Sequence, residues 1–515
     1  MKKIFLVLLI SVGLVNCSDD YVSRNSLTQI AVGNFWQSES DAYLALNGVY
    51  AALQTRSMYS GHLNGWMGIP GFDSFSDNSF NAFKWEGPGM FMEGTINPEN
   101  GPLRNVWNDH YRGIARVNDY IRNVKNISID LVSQPTKDAL LGQGYFLRAL
   151  LYFNLAIYYE EVPLITEPQT LEEAFVSKNT YDEIIAQIIE DLKFASANLP
   201  VVQPSDLYGY ATKGAALGLF ARVQLYNKVY TGQNGVLDLT NQIMGLGYKL
   251  HPNYGELFTE AGENSSEIMF AVRFLRGANT SSGETFSATF GGFPKTDLRP
   301  MPNLVNSYLC IDGLPITTSP LYNPNNKGAN RDPRANATVY FKGDQFLDNP
   351  IRNFPGTATA PFGKRKYIRR GPDAEGNGVA GAGSQDFIVI RYADVLLMRS
   401  EAMVETNDII GARDLVNELR KRVGMPKVET VNASLNQNVM RDIVRLERRV
   451  ELALEGLRFM DIKRWGDFQN MFLRAQGDNY SNYNPNYSGK KSEVFPIPQK
   501  ELDVNPNLVQ HPAWK

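Results

Sequence analysis

Residues 137–163 read KDALLGQGYFLRALLYFNLAIYYEEVP, and this stretch decides the fold. Its apolar residues recur at helical spacing up to position 159, and Pro163 stops the pattern. A second stretch with the same spacing lies just before it, at 103–124. Together they predict a hairpin of two helices whose apolar stripes face a common core.

The helical pattern returns along most of the chain. Further helices are predicted at 34–54, 181–199, 213–229, 391–405, 409–422 and 439–465. The hairpin at 392–423 has the length of a tetratricopeptide repeat, which is roughly 34 residues. Between 248 and 385 the period gives way to apolar bursts separated by Gly, Pro, Asn and Thr, which is typical of loops with short strands at most. We therefore predict a mainly α fold, in which a tetratricopeptide-like scaffold of helical hairpins carries long, irregular, loop-rich insertions.

This pattern also predicts the domain organisation. Residues 34–515 are expected to form a single domain. Its parts are a helical scaffold at 34–247 and 386–470, a loop-rich insertion at 248–385, and a C-terminal segment at 471–515.

The first sixteen residues have the pattern of an export signal. Lys2 and Lys3 precede an apolar run from 4 to 15. At about 1.5 Å per residue, a run of this length falls short of the roughly 30 Å hydrocarbon core of a bilayer. Residues 1–16 are therefore predicted to be a signal peptide rather than a membrane span.

The residues that follow predict a lipid anchor. The signal ends in LVNC at 14–17, which resembles a bacterial lipobox. Cys17 is therefore the expected site of lipid attachment, and 17–33 the anchored linker. Residues 18–20, Ser-Asp-Asp, resemble the short acidic tag of lipoproteins that reach the outer leaflet of the outer membrane. The protein is expected at the outer membrane, facing the cell exterior.

Composition excludes several classes of function. With 43% hydrophobic and 20% charged residues the chain is not disordered, and a net charge of −3 offers no basic field for nucleic acid. Four His and two Cys leave little material for a metal cage, and no Gly-x-Ser-x-Gly elbow is present. We expect no metal, no cofactor and no nucleic-acid partner.

Several motifs together are specific, although each alone is weak. They are GQGYFLRALLYFNLAIYYEEVP at 142–163, DPR at 332–334, IRYADVLLMRSEA at 390–402, ERRVELALEGLRFMDIKRWG at 447–466, and the segment 495–514. In this order, and behind a lipobox, they resemble the SusD/RagB family of outer-membrane nutrient-binding lipoproteins. The resemblance implies a tetratricopeptide-like scaffold, a glycan or other nutrient as ligand, and a SusC-like TonB-dependent transporter barrel as partner.

The most charged motif also allows an enzymatic interpretation. Glu447, Glu451 and Glu455 follow one another at i, i+4 and i+8, as paired carboxylates of a glycoside hydrolase might along one helix face. Arginines on the same helix, or Arg391 and Arg399, would pair with them and lower their pKa values, which is the opposite of what a general acid needs. We predict a structural role and no catalysis, with a lipid-anchored glycoside hydrolase as the alternative.

The aromatic loop, residues 59–91, is the strongest functional feature. It holds eight aromatic residues in 33 positions without a helical or strand period, which predicts that some rings face outward. A sugar presents an apolar face to such rings and hydroxyls to amides and carboxylates. The candidate rings are Trp66, Trp85, Phe72 and Phe75, and the candidate hydroxyl partners are Asp73, Asp77, Asn78 and Asn81.

The family resemblance implies a second group of ligand-binding residues, in the insertion. The candidates are Phe286, Phe290, Phe293, Arg276 and Arg299. We predict a cell-surface lipoprotein that binds oligosaccharides through aromatic loop residues and delivers them to the barrel. A peptide-binding lipoprotein of the same family is the alternative within this class.

Overall fold

The computed structural model describes most of the chain. The described residues are 35–61, 67–275, 283–289, 298–358, 360–370, 383–479 and 483–515. The predicted signal peptide, Cys17 and the linker lie outside these ranges, as do the candidate site residues Trp66, Arg276, Phe290 and Phe293.

Helices dominate the described residues, as the sequence predicts. They are α1 (Glu39–Tyr50), α2 (Pro88–Met92), α3 (Gly101–Asn126), α4 (Gln134–Tyr159), α5 (Tyr181–Asn198), α6 (Lys213–Tyr226), α7 (Val236–Met244), α8 (Phe286–Thr289), α9 (Pro302–Ser307), α10 (Pro333–Thr338), α11 (Tyr392–Glu405), α12 (Ile409–Arg422), α13 (Val428–Val431), α14 (Gln437–Glu451), α15 (Arg458–Trp465), α16 (Phe468–Gly477) and α17 (Gln499–Val504).

The helix ends follow local chemistry. The Ser38 side chain caps α1 by accepting a hydrogen bond from the Asp41 amide. Thr180 and Glu183 form a reciprocal capping box at the start of α5. The predicted helices are matched to within a few residues except at 439–465 and at 34–54, where α1 ends at Tyr50 and a 3₁₀ turn follows.

The helix predicted at 439–465 is two helices. α14 ends at Glu451 and α15 begins at Arg458. Between them, Leu454 and Gly456 have φ angles of 63° and 81°, which no right-handed helix accommodates. The predicted stacking of three glutamates along one helix face is therefore wrong for Glu455, which lies in this break.

Antiparallel hairpins form the scaffold. α4 packs against α3 on one side and α5 on the other, and α11 pairs with α12. α4 is long and apolar enough to cross a membrane by composition, but 94% of its most apolar window is buried inside the protein. It is the central core helix of the scaffold, and the predicted mainly α fold is confirmed.

Three short antiparallel ladders fasten the loop-rich insertion. The strands are β1 (Ser79–Asn81), β2 (Ile268–Val272), β3 (Leu298–Pro300), β4 (Val339–Tyr340), β5 (Gly363–Lys364) and β6 (Phe387–Arg391). β2 pairs with β6, so the two ends of the insertion lie side by side, and β1 pairs with β3. The insertion therefore leaves and rejoins the scaffold at one place.

A buried ionic network, here called the core network, joins the insertion to the helices. Glu451 at the end of α14 accepts hydrogen bonds from Arg334 of α10 at 3.0 Å, from Arg391 at 2.7 Å, and from Arg422 at the end of α12 at 2.5 Å. Carboxylates and cations are equal in number in this network. Its members are Asp332, Glu267, Glu447, Glu451 and Glu455 with Arg334, Lys366, Arg391, Arg420 and Arg422.

These contacts confirm the structural role predicted for the glutamates. Burial alone would raise the pKa of Glu451, but Arg422, Arg391 and Arg334 outweigh it and hold that pKa well below its usual range. Arg391 is the predicted partner. Arg399 is not, since it donates to the Leu237 carbonyl at 2.8 Å instead.

Removing the charge of Glu451 is expected to destabilise the fold. Glu451→Gln leaves buried guanidinium groups without their counter-charge, so the free energy of unfolding should fall by about 3–5 kcal/mol. Urea denaturation followed by circular dichroism measures this.

The matched control is Asp119→Asn, which breaks an exposed ion pair with Arg122. We expect it to cost about 0–1 kcal/mol. Equal effects of the two substitutions would contradict a structural role for the core network.

Candidate functional site

The rings of the aromatic loop mostly face inward. Phe72 and Phe75 are fully buried in a 3₁₀ helix, Ile69–Phe75. Phe495 of the C-terminal segment lies 4.7 Å from the Phe75 ring centre and 6.2 Å from that of Phe72. The prediction that Phe72 and Phe75 contact a ligand is therefore wrong. These rings pin the loop to an aromatic core.

The acidic residue Asp77 of the same loop is an anchor as well. It is fully buried, and its carboxylate accepts hydrogen bonds from Arg458 at 2.9 Å and Arg474 at 2.6 Å, with Arg449 at 3.3 Å. Burial opposes ionisation, but Arg449 and Arg458 prevail and hold the pKa of Asp77 far below its usual range. Asp77 is charged, satisfied and inaccessible to a sugar hydroxyl.

The other side chains predicted to bind sugar hydroxyls are also buried and paired within the protein. Asn78 donates to Asp73 at 3.1 Å, and Asp73 accepts from the Leu454 amide at 2.5 Å, in the break between α14 and α15. Asn81 donates to Glu86 at 2.9 Å. All of these side chains are buried, so the predicted ligand contacts of Asp73, Asn78 and Asn81 are also wrong.

Trp85 differs from its neighbours in facing outward. Its side chain is 54% exposed. Lys84 is paired with Glu93 at 2.6 Å, and Glu86 is buried against Asn81, so the residues on both sides are tied inward. The Asn100 side chain also donates to the Trp85 carbonyl at 3.4 Å. A rigid turn thus presents the indole to solvent.

The structure brings the aromatic loop and the insertion together. In the β1–β3 ladder, Phe80 lies opposite Arg299, which is half-buried. At the other end of the loop, the Ser60 carbonyl accepts from the Thr285 amide at 2.7 Å. The two groups predicted to share a site are therefore neighbours in space. We call the surface formed by the aromatic loop and by the part of the insertion that contacts it the loop face.

Phe286 is the one predicted insertion ring within the described residues, and it is buried. Its ring centre lies 5.7 Å from that of Phe387 and 5.8 Å from that of Tyr367. Gly61, at a φ of 99°, passes so close that a Cβ there would stand 2.6 Å from the Phe286 Cβ. The ligand contact predicted for Phe286 is wrong, and its ring holds loop and insertion together.

Cys310 and His110 offer no reactive group to a ligand, because both are buried. Cys310 is a buried free thiol, and His110 is buried with its pKa lowered to about 4, so it is neutral. Within the described ranges, no group of three His, Cys, Asp or Glu side chains is arranged to hold a metal ion.

The fold and the loop face define a helical scaffold that presents loops for binding. Models of two related families match the chain. The SusD family matches residues 266–514, and a family described as starch-binding and associating with the outer membrane matches residues 67–225. The chain belongs to the SusD family, as the motifs predict.

Relatives match over nearly the whole length. SusD-like protein P25 of Formosa agariphila is 27% identical over 531 residues, which cover 96% of this chain and 95% of the relative. A SusD-like carbohydrate binding protein from Bacteroides fragilis is 28% identical in structure alignment, with a TM-score of 0.78 over 92% of this chain and 100% of that one. A laminarin binding SusD-like protein is 26% identical, with a TM-score of 0.73 over 93% of this chain and 100% of that one.

The anchoring role of Asp77 predicts a stability defect. Asp77→Asn removes the charge that faces three arginines, so the free energy of unfolding should fall by about 3–5 kcal/mol. Limited proteolysis should then cleave first within residues 59–91, and thermal denaturation should report the loss. Asp414→Asn, at an exposed pair with Arg413, serves as the control. An unchanged melting temperature with lost saccharide binding would instead make Asp77 a ligand contact.

Proposed function

We propose that this protein is a lipid-anchored binding protein of the outer membrane that captures oligosaccharides on the loop face. It presents them to a TonB-dependent transporter barrel and performs no catalysis. The ligand is held reversibly by aromatic stacking and by polar groups at the ring edge.

The outward indole of Trp85 is the observation that carries this proposal. Of the six other described rings of the loop, five are buried and Phe83 is half-buried, and all the candidate polar partners are buried. One tryptophan, four residues after β1, is instead presented to solvent, which is the geometry of a stacking platform. The carbohydrate-binding and laminarin-binding relatives of the same fold support a saccharide as the ligand.

The alternative of a glycoside hydrolase is disfavoured by the charged motif itself. Glu447, Glu451 and Glu455 are all buried, and each pairs with a cation of the core network. A general acid needs a raised pKa and access to the glycosidic oxygen. The pKa values of Glu451 and Glu455 are lowered instead.

The anchor and the transporter rest on sequence and family. Cys17 stands at the end of an export signal, in a pattern that resembles a lipobox. The description of the matching family as associating with the outer membrane supports that location. A barrel partner follows from the family resemblance.

Replacing the exposed indole is expected to weaken binding without unfolding. Trp85→Ala removes a stacking contact that contributes about 0.5–1.5 kcal/mol to the binding free energy, so the dissociation constant should rise by about two- to tenfold. We expect the same direction for Trp66→Ala. Calorimetric titration with the best oligosaccharide from a glycan panel measures the change.

The control is Phe175→Ala, since Phe175 is also exposed, at 48%, but lies outside the aromatic loop and the insertion. Unchanged affinity in both tryptophan variants would contradict the loop face as the site. Binding of a peptide pool in place of glycans would favour the peptide-binding alternative. Release of reducing ends from a bound glycan would establish catalysis.

A further inference from the structure

A cleft lies beside the connection between α5 and α6. It encloses about 370 Å³ between the chain joining α5 to α6 and the chain entering β2. Tyr208, Tyr210 and Tyr248 line it, so we call it the tyrosine cleft. A volume of this size is within the range of small-ligand sites, and none of the described residues of the aromatic loop lines it.

Tyr208 is both exposed and fixed. Its ring is 52% accessible, its hydroxyl donates to the Glu263 carbonyl at 3.1 Å, and the Arg273 guanidinium lies 4.4 Å from the ring centre. Gly209, at a φ of 106°, lets Arg273 pass so close that a Cβ there would stand 2.6 Å from the Arg273 Cδ. The ring is therefore positioned before any ligand arrives.

The polar wall of the cleft is also held in place. Glu263 accepts from the Asp386 amide at 2.8 Å, and Arg273 Nε lies 3.5 Å from the buried carboxylate of Asp386. Burial and the nearby Asp386 raise the pKa of Glu263 to about 7, so this carboxyl can either donate or accept a hydrogen bond near neutral pH. The wall thus offers hydrogen-bond partners for hydroxyl groups beside the guanidinium of Arg273.

We propose that the tyrosine cleft is a second saccharide-binding site, in which one ring of an oligosaccharide stacks on Tyr208 while its hydroxyls bond to Glu263. Aromatic faces bordered by carboxyl and amide groups match the apolar face and polar rim of a sugar. Gln203 and Asn264 also line the cleft, and the Gln203 amide is held in place by donating to the Ala211 carbonyl at 2.7 Å. The ligand class rests on the proposed function, but the site shares none of its residues.

The test uses purified protein labelled with 3-fluorotyrosine. The resonance of Tyr208 is identified as the one absent from the Tyr208→Phe spectrum. The probes are hexasaccharides of α-glucan, β-glucan, xylan, mannan and galactan, each titrated to about 10 mM, and a peptide pool serves as the comparison. We expect at least one saccharide to shift this resonance to saturation, and Tyr208→Ala to weaken that saccharide's binding by about tenfold.

The Trp85→Ala variant separates the inference from the proposed function. In Trp85→Ala protein, the Tyr208 resonance should respond as before. Loss of that response would show that Tyr208 and Trp85 belong to one site, which would contradict a separate second site. A Tyr208 resonance that no saccharide shifts, or that only peptides shift, would also overturn the inference. If the Tyr208 resonance still responds and Trp85→Ala leaves every saccharide affinity unchanged, the result would contradict only the proposal that the loop face binds saccharide.

Discussion

The carboxylate of Glu451 is the point on which three separate stretches of the chain converge. It is fully buried between arginines of α10, of the strand β6 that leads into α11, and of α12. Such charges are costly to bury, and they are tolerated only where each finds its partners. The core network therefore fixes how the insertion packs against the scaffold, because its charges are paired only in this one arrangement.

Three consecutive residues of α14 extend this principle to the aromatic loop. Successive helix residues point about 100° apart. Glu447 accordingly meets the core network, Arg448 meets Asp394 and Asp461, and Arg449 meets Asn78 of the aromatic loop at 2.9 Å. One turn of helix thus holds three regions, which explains why this motif is so highly charged.

The local sequence pattern was enough to predict the helices of the scaffold. The periodicity of 137–159 predicted α4 because a buried helix needs nothing beyond its own apolar spacing. It could not predict the break at Leu454, which depends on an amide held by Asp73 far away in the chain. Nor could it reveal the partners of Asp77, since Arg458 is 381 positions distant and only the fold brings them together. Within 447–464, four arginines and Lys463 stand against four acids, and this small excess of basic residues was the available signal that carboxylates from elsewhere must join them. The tyrosines at 208 and 210 on either side of Gly209 were a similar signal for the cleft.

These contacts explain why some residues of the aromatic loop face the core and others face solvent. Apart from half-buried Phe83, the phenylalanines and acids of the loop face the core and give the loop its shape, whereas Trp85 is exposed to solvent. The central claim is that a saccharide stacks on this indole. A crystal structure of the protein with its preferred oligosaccharide tests it most directly. The claim predicts a sugar ring in van der Waals contact with Trp85 beside the β1–β3 ladder, and a saccharide bound elsewhere with Trp85 bare would contradict it.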